Sequence, residues 1–208
     1  MKRILCFVLI CFCISASFAK EKVFESFGFH FSVPMIFESE VEYGVKVNSS
    51  IESIGFGLNG LTLYSEKYGM FASLDLFFPQ AVKIKLSYNG LTESGVIDRS
   101  NYYSFWGMDA LFCFAMKIFQ NEKNLLILSP GIHYEMILAE AQDLSLVYIF
   151  GLGLNIQDYI TMNENVFLMF GANIAYDFIG FGFYNADVYS IKSNQFIFSP
   201  KIGIGFKL

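Results

Sequence analysis

Large apolar residues occupy every second position through most of this chain. The last thirteen residues show it most plainly. Phe196, Phe198, Pro200, Ile202, Ile204, Phe206 and Leu208 share one parity, while Ser199, Lys201, Gly203, Gly205 and Lys207 share the other. Alternation with a period of two is the mark of a strand whose two faces meet different surroundings. Seven further segments pass the same test. Phe27–Phe37 sets Phe27, Phe29, Phe31, Val33, Met35 and Phe37 against Gly28, His30, Ser32 and Pro34. Ile54, Phe56 and Leu58 oppose Gly55, Gly57 and Asn59, and Met70–Phe78 opposes Phe71, Ser73, Asp75 and Phe77. Trp106–Met116 carries Gly107, Asp109, Cys113 and, one step further on, Lys117 on its small and polar face. Leu126–Leu138 carries Ser129, Gly131, His133 and Glu135 there. Leu144–Ile156 carries Ser145, Gly151, Gly153, Asn155 and, just past its end, Gln157, while Val166–Phe178 carries Gly171, Asn173, Ala175 and Asp177.

Eight strands of this kind fit two architectures. A soluble sandwich puts its large residues inside and its polar ones outside. Here one face is large and aromatic, and the other is small with scattered charges. That inversion predicts an all-β, eight-stranded antiparallel up-and-down transmembrane barrel, apolar face to lipid and small face to a narrow lumen. No apolar run reaches the roughly 20 residues a membrane helix needs, so closed strands are the spanning solution left to an apolar exported chain. Beyond Pro79 the alternation resumes as Val82, Ile84, Leu86 and Tyr88 and ends on Asn89-Gly90, a hairpin signal. The third strand is therefore expected to bend at Pro79 and protrude; ten strands is the alternative.

The connections alternate in length. Glu66–Gly69, Gln120–Asn124 and Thr161–Asn165 are short polar turns, whereas Glu38–Ser50, Gly90–Asn101 and Gly182–Asn194 are expected as long loops. The short turns are expected on the periplasmic side and the long loops outside the cell. The connection around Glu140-Ala141-Gln142-Asp143 is short where a long one is expected.

Composition agrees with this picture. Hydrophobic residues make up 54%, aromatic residues 18% and charged residues only 16% of the 208 residues. Met1-Lys2-Arg3, the apolar run Ile4–Ile14 and the small residues up to Ala19 have the layout of a secretory leader, so 1–19 is expected to be removed and 20–208 to form the barrel domain. Cleavage would remove Cys6, Cys11 and Cys13 and leave Cys113 alone, which predicts a buried small hydrophobe and no disulfide. It would also remove Lys2 and Arg3, leaving 12 basic against 19 acidic residues, a charge of about −7, which argues against nucleic acid as a partner.

The eight alternating segments and the ending Ile202-x-Ile204-x-Phe206-x-Leu208 resemble the small outer-membrane β-barrel proteins of the OmpX, OmpA-barrel and OmpW type. The Phe-rich strands also resemble outer-membrane proteins of treponemes and related spirochaetes. The resemblance implies outer-membrane lipid as surroundings and insertion by the barrel-assembly machinery, with Ile202, Ile204, Phe206 and Leu208 as the assembly signal. It implies roles such as adhesion or passage of small apolar solutes.

The small face also carries the candidate chemistry. Asp75, Asp109, Lys117, His133, Glu135, Asn155, Asn173, Asp177 and Lys201 all fall on it and form the expected lumen network. Carboxylates buried without partners are costly, so Lys201 is expected to answer Asp177 on the neighbouring strand. His30 and His133 could be imagined beside Ser32 or Ser129 in a nucleophilic set, but their spacing does not gather them, and the reading is of no enzyme, no metal and no cofactor. Tyr64, Tyr159, Phe206, Phe37, Tyr102 and Tyr103, near strand ends, are expected in interfacial girdles. The function expected is a plugged monomeric barrel with a surface interaction or structural role through loops facing host or envelope ligands. The alternative is a narrow conduit for small, apolar solutes.

Overall fold

The structure is a computed structural model that describes residues 23–42, 45–89, 91–140, 144–184, 187–191 and 193–208. The expected leader at 1–19 and residues 141–143 of the short connection lie outside the described residues. Eleven strands follow one another: β1 Phe24–Ser32, β2 Met35–Glu42, β3 Val45–Leu63, β4 Tyr68–Tyr88, β5 Leu91–Asp98, β6 Ser104–Gln120, β7 Asn124–Glu140, β8 Leu144–Thr161, β9 Val166–Tyr184, β10 Asp187–Ile191 and β11 Gln195–Lys207.

Nine of these make an eight-membered ring, with β5 beside β4 and β10 beside β9 outside it. β1 and β2 are two halves of one wall strand, since both pair with β3 on one side and β11 on the other. β3, β4, β6, β7, β8, β9 and β11 complete the circuit, all antiparallel. Closure runs from Ser26 opposite Lys207 to Ser32 opposite Lys201. The break between β1 and β2 falls at Val33-Pro34, and Pro200 of β11 sits opposite it. Two residues without an N–H thus share one interruption of the ladder, the place where a sheet tolerates proline.

The parity of each segment is kept in three dimensions. Ser73, Asp75, Asp109, His133, Asn155 and Asp177 are buried, while Phe29, Phe31, Ile132, Leu152, Tyr176 and Ile202 are exposed on the outer wall. Exposed aromatic and branched side chains covering a whole barrel are the unusual observation, since soluble domains do not leave such continuous surfaces bare. The short turns fall where expected, between Leu63 and Tyr68, Gln120 and Asn124, and Thr161 and Val166.

The three long connections are not loops. Glu38–Ser50 contains the end of β2 and the start of β3, paired from Met35 opposite Glu52 to Glu42 opposite Val45. Gly90–Asn101 contains β5, and Gly182–Asn194 contains the end of β9 and β10. The ladders continue through them, and Asn89, with φ 47, supplies the left-handed residue of a tight hairpin between β4 and β5. The extra hairpin does not add strands to the ring. Among the described residues β5 pairs only with β4, and a 3-10 turn at Arg99–Asn101 separates it from β6. β2, β3, β4 and β5 therefore extend past the ring as a four-stranded sheet. Gln80 is the extra residue where this sheet departs, because Ser53 faces Pro79 while Glu52 faces Ala81.

Candidate functional site: the polar layer inside the barrel

The inward residues sort by height. One end is apolar, with Leu61, Phe71, Leu111, Ile127, Tyr159 and Met169 packed together, and Cys113 among them. At the other end Ile36, Phe77, Ala175 and Ile197 pack with Ile51 and Ile137. Most of the buried polar residues form a separate layer, while Ser26 and Gln157 stand opposite Leu61 and Ile127 of the first cluster. Tyr159 belongs to the first cluster rather than to a girdle: it is fully buried against the Phe24 and Phe167 rings, because the alternation through Asn155 and Gln157 carries it inward.

Within the polar layer, register creates a problem and its solution. Asp75 lies directly opposite Asp109, and Asp109 directly opposite Glu135, so three carboxylates form one row across β4, β6 and β7. Like charges placed opposite one another are destabilising. Hydrogen-bonding side chains reach them from other strands. His30 Nε2 lies 2.7 Å from Asp75 Oδ1, and Lys201 Nζ donates to Asp75 Oδ2 at 2.6 Å. His133 Nε2 lies 2.7 Å from Asp109 Oδ2, while its Nδ1 lies 2.8 Å from Asp177 Oδ1. A ring carrying protons on both nitrogens satisfies both carboxylates at once. Gln195 Nε2 donates to Glu135 Oε2 at 3.1 Å. Asn155 Nδ2 donates to Asn173 Oδ1 at 2.9 Å, and Asn173 Nδ2 to Ser73 Oγ at 3.3 Å.

Both histidines use the same device. His30 pairs across the ladder with Gly57, and Gly57 with Asp75; His133 pairs with Gly151, and Gly151 with Asp177. In each case a glycine on the middle strand lets an imidazole and a carboxylate two strands apart meet over it. A Cβ at Gly57 would lie 2.8 Å from His30 Nε2 and 2.5 Å from the Leu74 carbonyl oxygen. At Gly151 it would lie 2.2 Å from Asp177 Oδ1. Gly57→Ala should therefore force His30 and Asp75 apart and cost about 1–3 kcal/mol as an overpacking change. Gly95→Ala, with open space around its Cβ, should cost almost nothing. Urea midpoints followed by the fluorescence of the single tryptophan, Trp106, measure both; equal midpoints would remove the glycine device.

The predicted network is partly regrouped. Lys201 meets Asp75 rather than Asp177, because Lys201 stands opposite Gly171 on β9 and it is Gln195 that stands opposite Asp177. Lys117 stays out of the network. A bulge at Ile118 shifts the β6–β7 register there, and Lys117 lies by the Ser65–Tyr68 turn, its Nζ donating to Gln120 Oε1 at 2.7 Å. Asp75, Asp109, His133, Glu135, Asn155, Asn173 and Asp177 are all buried in the polar layer. Sequence reasoning left His30, Asn59, Gln157 and Gln195 out of the network. Their inward parity was the available signal, and Asn59 Nδ2 lies 3.5 Å from both His30 Nδ1 and Gln157 Oε1. Neither Ser32 Oγ nor Ser129 Oγ has a hydrogen-bond partner among the described residues, and the His133 ring nitrogens both face carboxylates.

Comparison with solved structures returns the same architecture. The Neisserial surface protein A (NspA) superposes with a TM-score of 0.57 at 10% identity, covering 91% of this chain and 100% of its own. This chain has the fold of the small outer-membrane β-barrels. The outer membrane protein OprG from Pseudomonas aeruginosa matches with a TM-score of 0.52 at 12% identity, over 90% and 97% of the two chains. Ail, the attachment invasion locus protein of Yersinia pestis, matches with a TM-score of 0.51 at 10% identity, over 89% and 99%. No protein-family model and no curated sequence relative matches the chain. At such identities the likeness is one of fold.

Proposed function

We propose that this protein is a bacterial outer-membrane barrel with a plugged lumen, whose working surface is the four-stranded sheet standing beyond the ring. Its role is interaction or structural support at the cell envelope. What supports this reading is the burial of the inward side chains in two apolar clusters and a hydrogen-bonded polar layer. An eight-stranded barrel has room for little beyond its own side chains. The short turns then face the periplasm and the sheet of β2–β5 faces outward, presenting Val41, Leu86, Leu91 and Val96 to solvent. The barrel works as a monomer inserted by the barrel-assembly machinery through Ile202, Ile204, Phe206 and Leu208.

The competing reading, a conduit for small apolar solutes, needs the polar layer to open or the wall to part. The wall ladders on both sides of β1 run without a break, from Phe24 to Ser32 against β3 and from Ser26 to Ser32 against β11. Purified protein in planar lipid bilayers should show no steady conductance. A stable open channel whose current changes in Asp75→Asn or Asp109→Asn would overturn the plugged lumen.

A further inference from the structure

The sheet beyond the ring carries Glu38, Glu40 and Glu93 on one face, and Lys46, Lys83 and Lys85 together with Glu52 and Asp98 on the other. Past the Gln80 bulge, the register places Glu38, Ser49, Ile84 and Gly95 in one row and Glu40, Val47, Leu86 and Glu93 in the next, both on the face that continues the lumen side through Ile51. On that face burial, and then the neighbouring Glu40, push the Glu38 carboxyl above its usual range. The opposite face continues the outer wall. Its first row reads Tyr176, Phe196, Phe37, Ser50, Lys83 and Val96 across six strands. Its second reads Asn194, Ser39, Asn48, Lys85 and Ser94, with Asn194 tied to Ser39 O through its Nδ2 at 3.0 Å. Lys46 follows in the third row, beside Ser87.

The first two of these rows, together with Glu38, Ser49, Ile84 and Gly95 of the row between them, line a single groove of about 770 Å³. Its one end is aromatic, with the Phe37 and Phe196 rings 6.5 Å apart and the Tyr176 hydroxyl donating to Asn194 Oδ1 at 2.7 Å. Its other end holds Lys83, bridged to Glu52, and Lys85, which makes no ion pair among the described residues, surrounded by serine and asparagine groups. A soluble ligand would have no use for an aromatic end that merges with the lipid-facing wall. A lipid has use for both ends.

We propose that this groove is a binding site for one anionic membrane lipid, its acyl chains against Phe37, Phe196 and Tyr176 and its phosphate headgroup on Lys83 and Lys85. Lys85 supplies the charge not already paired, Lys83 adds donors beside its bridge to Glu52, and Ser50, Asn48 and Ser94 supply further hydrogen-bond donors to phosphate oxygens. The site rests on the barrel being membrane-embedded, and it stands whether or not the lumen conducts.

Native mass spectrometry of the refolded full chain, after exchange from mixed micelles of phosphatidylglycerol and phosphatidylcholine, tests it. The wild type should retain one phosphatidylglycerol about tenfold more readily than phosphatidylcholine. Lys83→Gln/Lys85→Gln should abolish that preference, and Phe37→Ser should lower retention of both lipids. Heat-modifiable mobility on gels, read on the same samples, establishes that each variant is a folded barrel, so a lost barrel is distinguished from a lost site. Equal retention of the two lipids by the wild type, or an unchanged preference in the double lysine variant, would overturn the site. Saturable binding of soluble glycerol phosphate in place of the lipid would also overturn it, because the aromatic end would then serve nothing.

Discussion

Lys201→Met should cost the barrel about 3–5 kcal/mol, the loss expected when one partner of a buried ion pair is removed and the other stays behind. Lys201 Nζ is 2.6 Å from Asp75 Oδ2, both side chains are essentially inaccessible, and Asp75 already stands opposite Asp109. The methionine is an unbranched side chain one atom shorter than lysine, so it removes the charge and its N–H donors while keeping most of the packing. Combining it with Asp75→Asn should recover most of the loss, because the amide keeps a hydrogen bond to His30 and no carboxylate remains to be answered. Urea unfolding in detergent micelles gives the three differences, and the double-mutant cycle isolates the coupling between the two residues. Additive single losses would show that the pair is not an energetic unit and that the polar layer is held by packing alone.

The second large effect belongs to the outer wall. Ile202 is 53% exposed, sits beside Phe31 and Phe170 on the neighbouring strands, and follows Lys201 at the level of the polar layer. Ile202→Lys should destabilise the membrane-inserted barrel by about 2–4 kcal/mol, the cost of a cation on the lipid face near mid-depth. Lys207→Asp, at the exposed end of the same strand, should cost close to nothing. Folding yield into lipid vesicles, scored by heat-modifiable mobility, separates them. Equal yields for the two variants would mean that Ile202 does not face hydrocarbon.

The alternation of residue types decided which face every residue presents, because successive side chains of a strand point to opposite sides. That is why the barrel class, the three short turns and the buried set Asp75, Asp109, His133, Glu135, Asn155, Asn173 and Asp177 were legible before any coordinates. Hairpin pairings were within reach too: a turn near Gln142 makes His133 and Gly151 partners. What parity does not contain is height along the axis. Height accumulates from strand to strand through register, and each bulge resets it: Gln80 at the start of the outer sheet, Ile118 beside Lys117, and Phe178 between Asp177 and Ile179. The closing pair, β1 with β11, joins chain ends that no turn connects. The sequence by itself therefore determined that Lys201 and His30 point into the lumen with the carboxylates. Only the closed and sheared ring decided that both of them meet Asp75, that Asp177 goes to His133, and that Lys117 meets none of them, because those choices depend on distances across the barrel rather than along the chain.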